Sequence, residues 1–339
     1  MKPVVLITER LDDACAAWLS ERAEVRWVDH ADADAMARVL PAADGMVVRT
    51  YTQVDEAVLR REPRLKVVGR AGVGLDNFDL PACRAASVEV VYTPDANTQA
   101  VVEYVTGLMI DHVRPKTPLP PGSDAAAFHA LRRTEVGSQL DGMTLGILGF
   151  GRIGKRLGAV AHALGMNLLV CDLLPEASLR QAVDCPFDFV DHAALYAGSD
   201  VVSVHVDGRP ENRGLIGAEA FAAMRPRVLL VNAARGILVD HRALTDWASR
   251  RPESCAYLDV HDPEPPPADS PLHGLANVAL FPHLASRTDT ALKNMSWVVR
   301  DVVAVLEGRD PQYPAHSIGS FSGGAVSYTH LTLPTIYSV

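Results

Sequence analysis

The sequence predicts an α/β protein of two domains, each with a doubly wound parallel sheet. Short apolar runs alternate with amphipathic stretches over the first hundred residues, and a second series of the same kind begins at Thr144. Continuous apolar strands separated by helices are typical of parallel sheets that are covered on both faces. The length of 339 residues also suggests roughly two domains.

The first series contains five apolar runs, which predict the strands PVVLI, VRWV, GMVV, KVVG and VEVVY. Amphipathic stretches between them predict helices over residues 12–23, 33–40, 55–61 and 80–87. A longer helix is predicted over residues 98–112. The Pro-rich segment 114–124 then predicts a connector without regular structure.

The second series predicts the strands TLGILGF, NLLVCD, DVVSVHV, VLLVNAA, CAYLDV and VALFP. Helices are predicted over residues 152–164, 218–224, 241–249 and, last, 286–306. Residues 315–339 begin with a linker composition and continue no upstream pattern. We therefore interpret them as a non-native or disordered tail and leave them out of the fold prediction.

Composition excludes several classes of protein. The net charge of −9 argues against a nucleic-acid binder, which normally presents a basic face. The five cysteines show no metal-ligand spacing, so we expect reduced thiols and no metal site. No apolar run reaches the roughly 18 residues that span a bilayer, and the apolar N-terminal run is too short for a signal peptide. We expect a cytoplasmic protein that contacts neither membranes nor nucleic acids.

A glycine turn, GFGRIG, follows the first strand of the second series directly, and a helical pattern starts at once. Gly149 permits the tight turn, Gly151 lets a pyrophosphate approach the backbone, and Gly154 lets the helix pack on the strand. The amides of Arg152 and Ile153 lie at the positive end of that helix and would face the phosphates. Strand, turn and helix together predict a Rossmann dinucleotide-binding site.

An acid at the end of the next strand favours NAD. Asp172 can accept hydrogen bonds from both ribose hydroxyls and would repel the 2′-phosphate of NADP. The alternative is a Gly-rich packing turn with an incidental aspartate. A second glycine cluster, GRAGVGLDN, has no third glycine at the right spacing and no such acid. Exposed amides around Val73 and Gly74 better suit a small anion such as a carboxylate, although a simple tight turn is the alternative.

Three polar residues follow strands of the second series, where open parallel sheets place their ligands. Arg235 can supply a cationic fork for the carboxylate and ketone oxygen of a keto acid. His283 can donate a proton to the developing alkoxide, and Glu264 beside it would favour the imidazolium form. Asp259 is placed to hydrogen-bond the nicotinamide carboxamide. These groups predict hydride transfer between a nicotinamide and a small 2-hydroxy or 2-keto acid, without a metal.

Six segments, in this order, resemble the D-isomer-specific 2-hydroxyacid dehydrogenases: VGRAGVGLDNFDL, TPDANTQAVVEY, LGILGFGRIG, VNAARGILVD, LDVHDPEP and FPHLAS. The resemblance covers about residues 4–314 and implies that Arg235, Glu264 and His283 are the catalytic trio. It also implies substrate contacts and a nicotinamide cleft. The substrate residues would be Val73, Gly74 and Asn97 with Arg235 and His283, and the cleft would be lined by Val101, Val206, Ala233 and Asp259.

The resemblance also implies the domain organisation. A flavodoxin-like substrate-binding domain would comprise residues 1–99 and 286–314, and a Rossmann NAD-binding domain would comprise residues 100–285. The active site would lie in the cleft between them. Members of this family are typically homodimers through the NAD-binding domain, and the Pro-rich connector leads into that region.

Within the family, GMVVRTYTQVD and GRAGVGLDN look most like the 3-phosphoglycerate dehydrogenase branch, without its regulatory domain. Arg49 would then lie near the substrate phosphate, or would equally be an ordinary surface residue. Asp207 and Gly208 stand where the family usually has a Pro-Leu pair, so the loop is predicted to cover the cofactor differently. The family's usual Trp before the second-domain strand is absent from FHALRRTEVG.

Other functions remain open at this stage. A glyoxylate or hydroxypyruvate reductase is the alternative within the family. A non-catalytic NAD sensor, like the corepressors that share this fold, is the alternative from another class. A formate dehydrogenase relative is disfavoured, because that branch pairs its histidine with Gln rather than Glu.

Overall fold

The first of two parallel sheets is formed by the N-terminal part of the chain. The computed structural model describes residues 2–60 and 64–315. The strand order is β2-β1-β3-β4-β5, with every pair parallel, which is the flavodoxin-like order. All five strands were predicted; they are β1 (Val4–Ile7), β2 (Glu24–Trp27), β3 (Gly45–Val48), β4 (Val67–Arg70) and β5 (Glu89–Tyr92).

The helices that alternate with these strands share one capping pattern. Each follows an aspartate whose carboxylate accepts a hydrogen bond from an amide of the first turn, which favours a helix start at that residue. The capping residues are Asp12, Asp32, Asp55 and Asp79, and the helices are α1 (Asp13–Ser20), α2 (Ala33–Val39), α3 (Glu56–Leu59) and α4 (Leu80–Ala85).

The second sheet has seven parallel strands in the order β12-β11-β10-β9-β6-β7-β8. Its chain order reverses between β6 and β9, which is where open α/β sheets bind ligands. All but the two-residue β8 were predicted. The strands are β6 (Thr144–Leu148), β7 (Asn167–Cys171), β8 (Asp188–Phe189), β9 (Val201–Val204), β10 (Leu229–Asn232), β11 (Cys255–Leu258) and β12 (Val278–Leu280).

Seven helices lie between β5 and β12: α5 (Thr98–Val113), α6 (Ala125–Thr134), α7 (Arg152–Ala163), α8 (Glu176–Arg180), α9 (His192–Gly198), α10 (Ala218–Ala223) and α11 (His241–Arg250). The Pro-rich segment 114–124 has no helix or strand, as predicted. Helices α6, α8 and α9 were not predicted. None of the residues of α6 is buried, so none of its side chains packs into an apolar core.

The final helix, predicted as one element over residues 286–306, is two helices: α12 (Asp289–Ser296) and α13 (Val299–Leu306). The side chain of Thr288 caps α12, so the residues before it are not helical. At the junction the hydrogen bonds tighten to the i→i+3 pattern, for example from Arg300 N to the Trp297 carbonyl at 3.0 Å. Trp297 packs edge-on against Trp18 of α1, with ring centroids 6.0 Å apart.

The end of the described chain returns to the first sheet. Ala315 is buried in the same apolar core as Leu6 and Tyr92. Residues 316–339 of the predicted tail lie outside the described residues, so the interpretation of the tail stays a prediction. Within the described ranges, no helix is both long and apolar enough to cross a membrane. Nor does that part of the chain hold a cluster of three or more acidic, His or Cys side chains suited to a metal ion.

Candidate active site

A histidine and a glutamate are in direct contact near the end of β12. Nδ1 of His283 lies 2.7 Å from Oε1 of Glu264, and both side chains are about one-third exposed. Burial raises the pKa of Glu264, but the hydrogen bond and charge of His283 and the His261 amide outweigh burial and hold that pKa below its ordinary value. Glu264 therefore keeps its negative charge beside the ring, orients it, and leaves Nε2 for another partner.

The turn that carries His283 is held by Asp259. His283 has a left-handed backbone, with φ at +55°, which is uncommon for a residue with a side chain. Its amide donates to the Asp259 carbonyl at 2.9 Å. The carboxylate of Asp259 accepts from the amides of Leu284 and Ala285, both at 2.8 Å, and from the Tyr104 hydroxyl at 3.1 Å. Burial, followed by the charge of Asp259, raises the pKa of Tyr104, so the hydroxyl stays a donor.

Asp259 was predicted to contact the nicotinamide carboxamide. Its side chain is only 1% exposed, and both carboxylate oxygens already accept hydrogen bonds from the protein. In this structure Asp259 therefore supports the turn, and its contact with the cofactor stays a prediction.

Arg235 reaches across the cleft from the end of β10. Asn232, which is fully buried, fixes this loop: its Nδ2 donates to the Arg235 carbonyl at 2.9 Å, and its Oδ1 accepts from the Ala234 amide at 3.1 Å. The Arg235 guanidinium donates through Nε to Asp76 at 2.8 Å and through Nη1 to the Ala234 carbonyl at 2.6 Å. Because Asp76 follows β4, this ion pair joins the two sheets.

The glycine-rich loop after β4 lies against the same guanidinium. A Cβ atom at Gly74 would overlap Nη2 of Arg235, so a larger residue would force the guanidinium to move. Arg70 shapes the loop, with Nε donating to the Gly74 carbonyl and Nη1 to the Ala71 carbonyl, both at 2.9 Å. Within the described chain, the amides of Val73 and Gly74 donate to no other group. Two free amides beside a guanidinium suit a carboxylate.

The other predicted substrate residues lie apart from this contact. Asn97 precedes α5 without capping it, and its Oδ1 is buried with no hydrogen-bond partner among the described residues. Arg49 follows β3, next to β4, and donates to the Arg10 carbonyl at 3.1 Å. Arg235 and His283 follow β10 and β12, which are separated by β11, and no hydrogen bond joins them.

The glycine turn after β6 has the features that a bound pyrophosphate needs. Gly149 has φ at +94°, and a Cβ atom there would lie 2.7 Å from the His205 carbonyl. A Cβ atom at Gly154 would overlap the Gly149 carbonyl oxygen, so α7 packs directly on the turn. At Gly151, by contrast, no described atom would lie within 4 Å of a Cβ. The uncapped amides at the start of α7, including those of Arg152 and Ile153, therefore adjoin open space.

Asp172 lies beside this turn at the end of β7. One carboxylate oxygen accepts from the Phe150 amide at 2.6 Å and the other accepts from the Leu174 amide at 2.7 Å. These bonds hold the acid at the position predicted for ribose binding.

Three apolar residues were predicted to line the nicotinamide cleft. Val101 of α5 and Ala233 after β10 belong to one apolar cluster. Val206 lies against the glycine turn, with Cγ1 2.8 Å from the Cβ position of Gly149. Val206 and Ala233 thus follow the carboxyl ends of β9 and β10, and the contact of all three residues with a nicotinamide stays a prediction.

The unusual loop after β9 approaches the Arg235–Asp76 pair. A Cβ atom at Gly208 would lie 2.8 Å from the Asp76 carboxylate and 2.9 Å from Cγ of Arg235, so the loop comes this close because position 208 lacks a side chain. Asp207 is paired with Arg209 and accepts from Asn212 at 3.1 Å. Sequence reasoning identified this loop but missed Asp76, Arg70 and Asn232, whose contacts are visible only in the folded chain.

Comparison with known proteins supports the family resemblance that the sequence motifs indicated. The sequence model "D-isomer specific 2-hydroxyacid dehydrogenase, NAD binding domain" matches residues 106–285. The D-3-phosphoglycerate dehydrogenase of Mycobacterium tuberculosis is 39% identical over 290 residues, which are 85% of this chain and 54% of the relative. The chain belongs to the D-isomer specific 2-hydroxyacid dehydrogenase family. It spans about half the length of the curated phosphoglycerate dehydrogenases it matches.

Other similar proteins align over nearly their full length. The (S)-sulfolactate dehydrogenase of Chromohalobacter salexigens is 37% identical over 312 residues, covering 88% of this chain and 96% of its own. The TT0316 protein from Thermus thermophilus has a TM-score of 0.80 at 31% identity, covering 92% of this chain and 99% of its own. The D-lactate dehydrogenase of Aquifex aeolicus, complexed with NAD and lactic acid, has a TM-score of 0.75 at 25% identity, covering 90% and 96%.

Family membership and the geometry of the glycine turn agree on the cofactor. The family's NAD-binding domain covers the turn, Asp172 and β6 to β12, so the predicted NAD cofactor is confirmed. The open space at Gly151 and the uncapped start of α7 fit its pyrophosphate.

The charge of Asp172 is expected to set the preference for NADH over NADPH. Replacing Asp172 by Ala should reduce the kcat/KM for NADH relative to that for NADPH by about tenfold, because repulsion of the 2′-phosphate is lost. A tenfold change corresponds to about 1.4 kcal/mol. Asp172→Asn is the matched variant, since it removes the charge and keeps an oxygen for the Phe150 amide. An unchanged ratio in both variants would assign cofactor selection to another residue.

Proposed function

We propose that this protein is an NAD-dependent oxidoreductase that moves hydride between nicotinamide and a small 2-hydroxy or 2-keto acid. The observation that carries this proposal is the pairing of His283 with Glu264 at 2.7 Å, at the edge of the sheet where Arg235 meets the free amides of the Gly74 loop. One site thus combines an oriented acid–base group with a fixed anion receptor.

The first task of the site is to hold the substrate acid. The amides of Val73 and Gly74 would donate to the carboxylate, and the guanidinium of Arg235 would bind it together with the keto oxygen. Arg235 would thereby polarise the carbonyl and stabilise the negative charge that develops on its oxygen.

The second task is proton transfer. Nε2 of His283 would donate a proton to the developing alkoxide, and would accept it when the reaction runs as an oxidation. Glu264 stays ionised, keeps the ring in one orientation through Nδ1, and stabilises the imidazolium. Bound NADH would supply the hydride, and NAD would accept it in the reverse direction.

The first substrate we propose is 3-phosphoglycerate, with phosphohydroxypyruvate as its keto form, because the phosphoglycerate dehydrogenase relatives are 32–39% identical and Arg49 lies one strand from the Gly74 loop. The test measures NADH consumption with phosphohydroxypyruvate, hydroxypyruvate, glyoxylate and pyruvate, together with NADH binding. Reduction of glyoxylate or hydroxypyruvate alone would favour the reductase alternative. NADH binding without reduction of any keto acid would favour the NAD-sensor alternative and contradict the enzyme proposal.

We also propose that two copies pair through the NAD-binding domain in the cytoplasm. Apolar side chains are exposed in the connector, in α6 and just after α6: Leu119 (44%), Phe128 (43%) and Val136 (78%). A contiguous exposed apolar patch marks a protein interface, and we assign these three side chains to that patch. All five cysteines are free thiols, in keeping with a reducing compartment.

Phe128→Asp is expected to convert the dimer into a monomer, because it would bury an unpaired charge in the interface. Light scattering coupled to gel filtration measures the mass. Trp27→Asp, at a side chain 54% exposed on the other domain, is the control and should leave the mass unchanged. A wild-type monomer, or a dimer that tolerates Phe128→Asp, would contradict this interface.

A further inference from the structure

An aspartate of the first domain is the partner of the arginine to which the carboxylate is assigned. Asp76 lies two residues after Gly74, and its Oδ2 accepts from Nε of Arg235 at 2.8 Å. No other group in residues 2–60 and 64–315 donates a hydrogen bond to this carboxylate. The Asp76 side chain is 49% exposed and that of Arg235 is 33% exposed. The pair thus joins the two domains at a site that solvent still reaches.

The two hydrogen bonds of Arg235 leave one nitrogen of its guanidinium unused. Nε donates to Asp76 and Nη1 donates to the Ala234 carbonyl at 2.6 Å, whereas Nη2 donates to no group in the described ranges. A Cβ atom at Gly74 would overlap Nη2 and would lie 2.6 Å from Oδ2 of Asp76. Because a guanidinium is planar, bonds to two of its nitrogens fix the position of the third. Nη2 is therefore held against the residue whose amide is free.

Gly208, in the loop after β9, lies against the other carboxylate oxygen of Asp76. A Cβ atom at position 208 would lie 2.8 Å from Oδ1 of Asp76 and 2.9 Å from Cγ of Arg235. Both separations are shorter than van der Waals contact, so a side chain at this position would displace the aspartate, the arginine or the loop. The ion pair is thus enclosed between Gly74 and Gly208.

The loop that carries Gly208 is tied at both ends. Near its start, the Asp207 carbonyl accepts from Nδ2 of Asn212 at 3.0 Å. At its far end, the amides of Gly214 and Ile216 donate to carbonyls in the segment 237–238, both at 2.8 Å. That segment follows Arg235 directly, so the loop and the arginine belong to one hydrogen-bonded unit. We expect this unit to resist a side chain at position 208.

We propose that Asp76 is a positioning residue that aligns Arg235 with the free amides of Val73 and Gly74, and that the pair requires a residue without a side chain at position 208. The inference rests on the proposed function, in which these amides and Arg235 bind the substrate carboxylate. The two halves of that receptor come from different domains. Asp76 belongs to the same short segment as the amides, so its bond to Nε fixes the guanidinium relative to them before the substrate arrives.

Two other roles fit the pair less well. A partly exposed ion pair contributes little to stability, so holding the fold together is a weak reason for this contact. Competition with the substrate is also disfavoured, because Asp76 accepts from Nε and leaves Nη2 free beside Gly74. A substrate carboxylate can therefore bind the guanidinium without displacing Asp76.

The first experiment measures oxamate binding and keto-acid reduction by Asp76→Ala. Oxamate has a carboxylate beside an amide carbonyl that NADH does not reduce, so calorimetry on the NADH complex reports the receptor alone. We expect the Kd for oxamate, and the KM for the keto acid that the wild type reduces best, to rise by about tenfold or more. Asp76→Asn keeps an oxygen for Nε and should weaken both less. The NADH dissociation constant and Tm should stay close to wild type.

A double-mutant cycle with Arg235→Gln separates positioning from a structural role. If Asp76 acts through Arg235, no guanidinium is left to orient in this background. Asp76→Ala should then change kcat/KM for the keto acid by less than about twofold, whereas the same change in the wild type should lower it by about tenfold or more.

Gly208→Ala tests the second half of the proposal and should raise the oxamate Kd by several-fold. Gly274→Ala is its matched control, because no described atom lies within 4 Å of a Cβ there and neither glycine has a left-handed backbone. Glu307→Ala is the control for Asp76→Ala, since Glu307 is 52% exposed and accepts from Nε of Arg309 at 3.0 Å, far from the cleft strands. Both controls should bind oxamate like the wild type.

Unchanged or tighter oxamate binding in Asp76→Ala would overturn the inference, as would an equal loss of kcat/KM in the wild-type and Arg235→Gln backgrounds. Tight oxamate binding in Gly208→Ala would overturn its second half. A wild type that binds oxamate but reduces no keto acid would instead defeat the proposed function, and the oxamate affinities of the variants would still decide the inference.

Discussion

Replacing His283 by Ala is expected to lower kcat by about 10²–10⁴-fold, the range that a positioned general acid contributes. Under the proposed function only the proton donor is lost, because Glu264 keeps its hydrogen bond from the His261 amide and Asp259 keeps those from Leu284 and Ala285. The NADH dissociation constant should therefore change by less than about twofold, since the glycine turn follows β6 and His283 follows β12. Stopped-flow turnover and NADH fluorescence titration measure the two quantities.

His162→Ala is the control for this experiment, because His162 is an exposed histidine in the last turn of α7. It should leave both quantities unchanged. A His283→Ala variant with intact turnover and much weaker NADH binding would show that His283 serves the cofactor and not the proton.

Replacing Arg235 by Lys is expected to reduce kcat/KM for the keto acid by about 10²–10³-fold, comparable to the loss of an oxyanion donor. Lysine keeps the charge but lacks the planar fork through which the guanidinium donates to Asp76 and to the Ala234 carbonyl from separate nitrogens. Its flexible ammonium would also lose the close fit against Gly74.

Arg225→Lys provides the matched control. Arg225 pairs with Asp200 at 2.9 Å, nearly the same separation as Arg235 and Asp76, but Asp200 precedes β9 at the opposite edge of the sheet. Steady-state kinetics at several substrate concentrations separate kcat from KM. Equal effects of the two substitutions would mean that Arg235 serves stability and not the reaction.

The strands and the glycine turn were predictable because their signals are local. An apolar run of four to six residues predicts a strand of a parallel sheet from its own residues, and GFGRIG between a strand and a helix restricts the backbone by itself. Glu264 and His283 were predicted from their positions after successive strands, and the structure brings them to 2.7 Å. Parallel strands place their carboxyl ends at one edge, so order along the chain becomes proximity in space.

The features that the sequence did not reveal are contacts between distant parts of the chain and a helix whose side chains are not buried. Arg70 and Asp76 are polar residues in a turn, and only the approach of Arg235 gives them their partners. Helix α6 buries no side chain, so only its cap at Asp124 indicates where it begins. At the break between α12 and α13, Trp297 packs against Trp18 of α1, a contact between distant parts of the chain that no local pattern encodes.

The left-handed backbone of His283 has a consequence for how the site is assembled. A residue with a side chain disfavours this conformation by roughly 1–2 kcal/mol, so the turn keeps it only where other bonds fix it. Asp259 fixes it from a buried position, through its carbonyl and both carboxylate oxygens. The loss of conformational entropy needed to aim the imidazole therefore occurs once, when the chain folds, and is not repeated in each turnover.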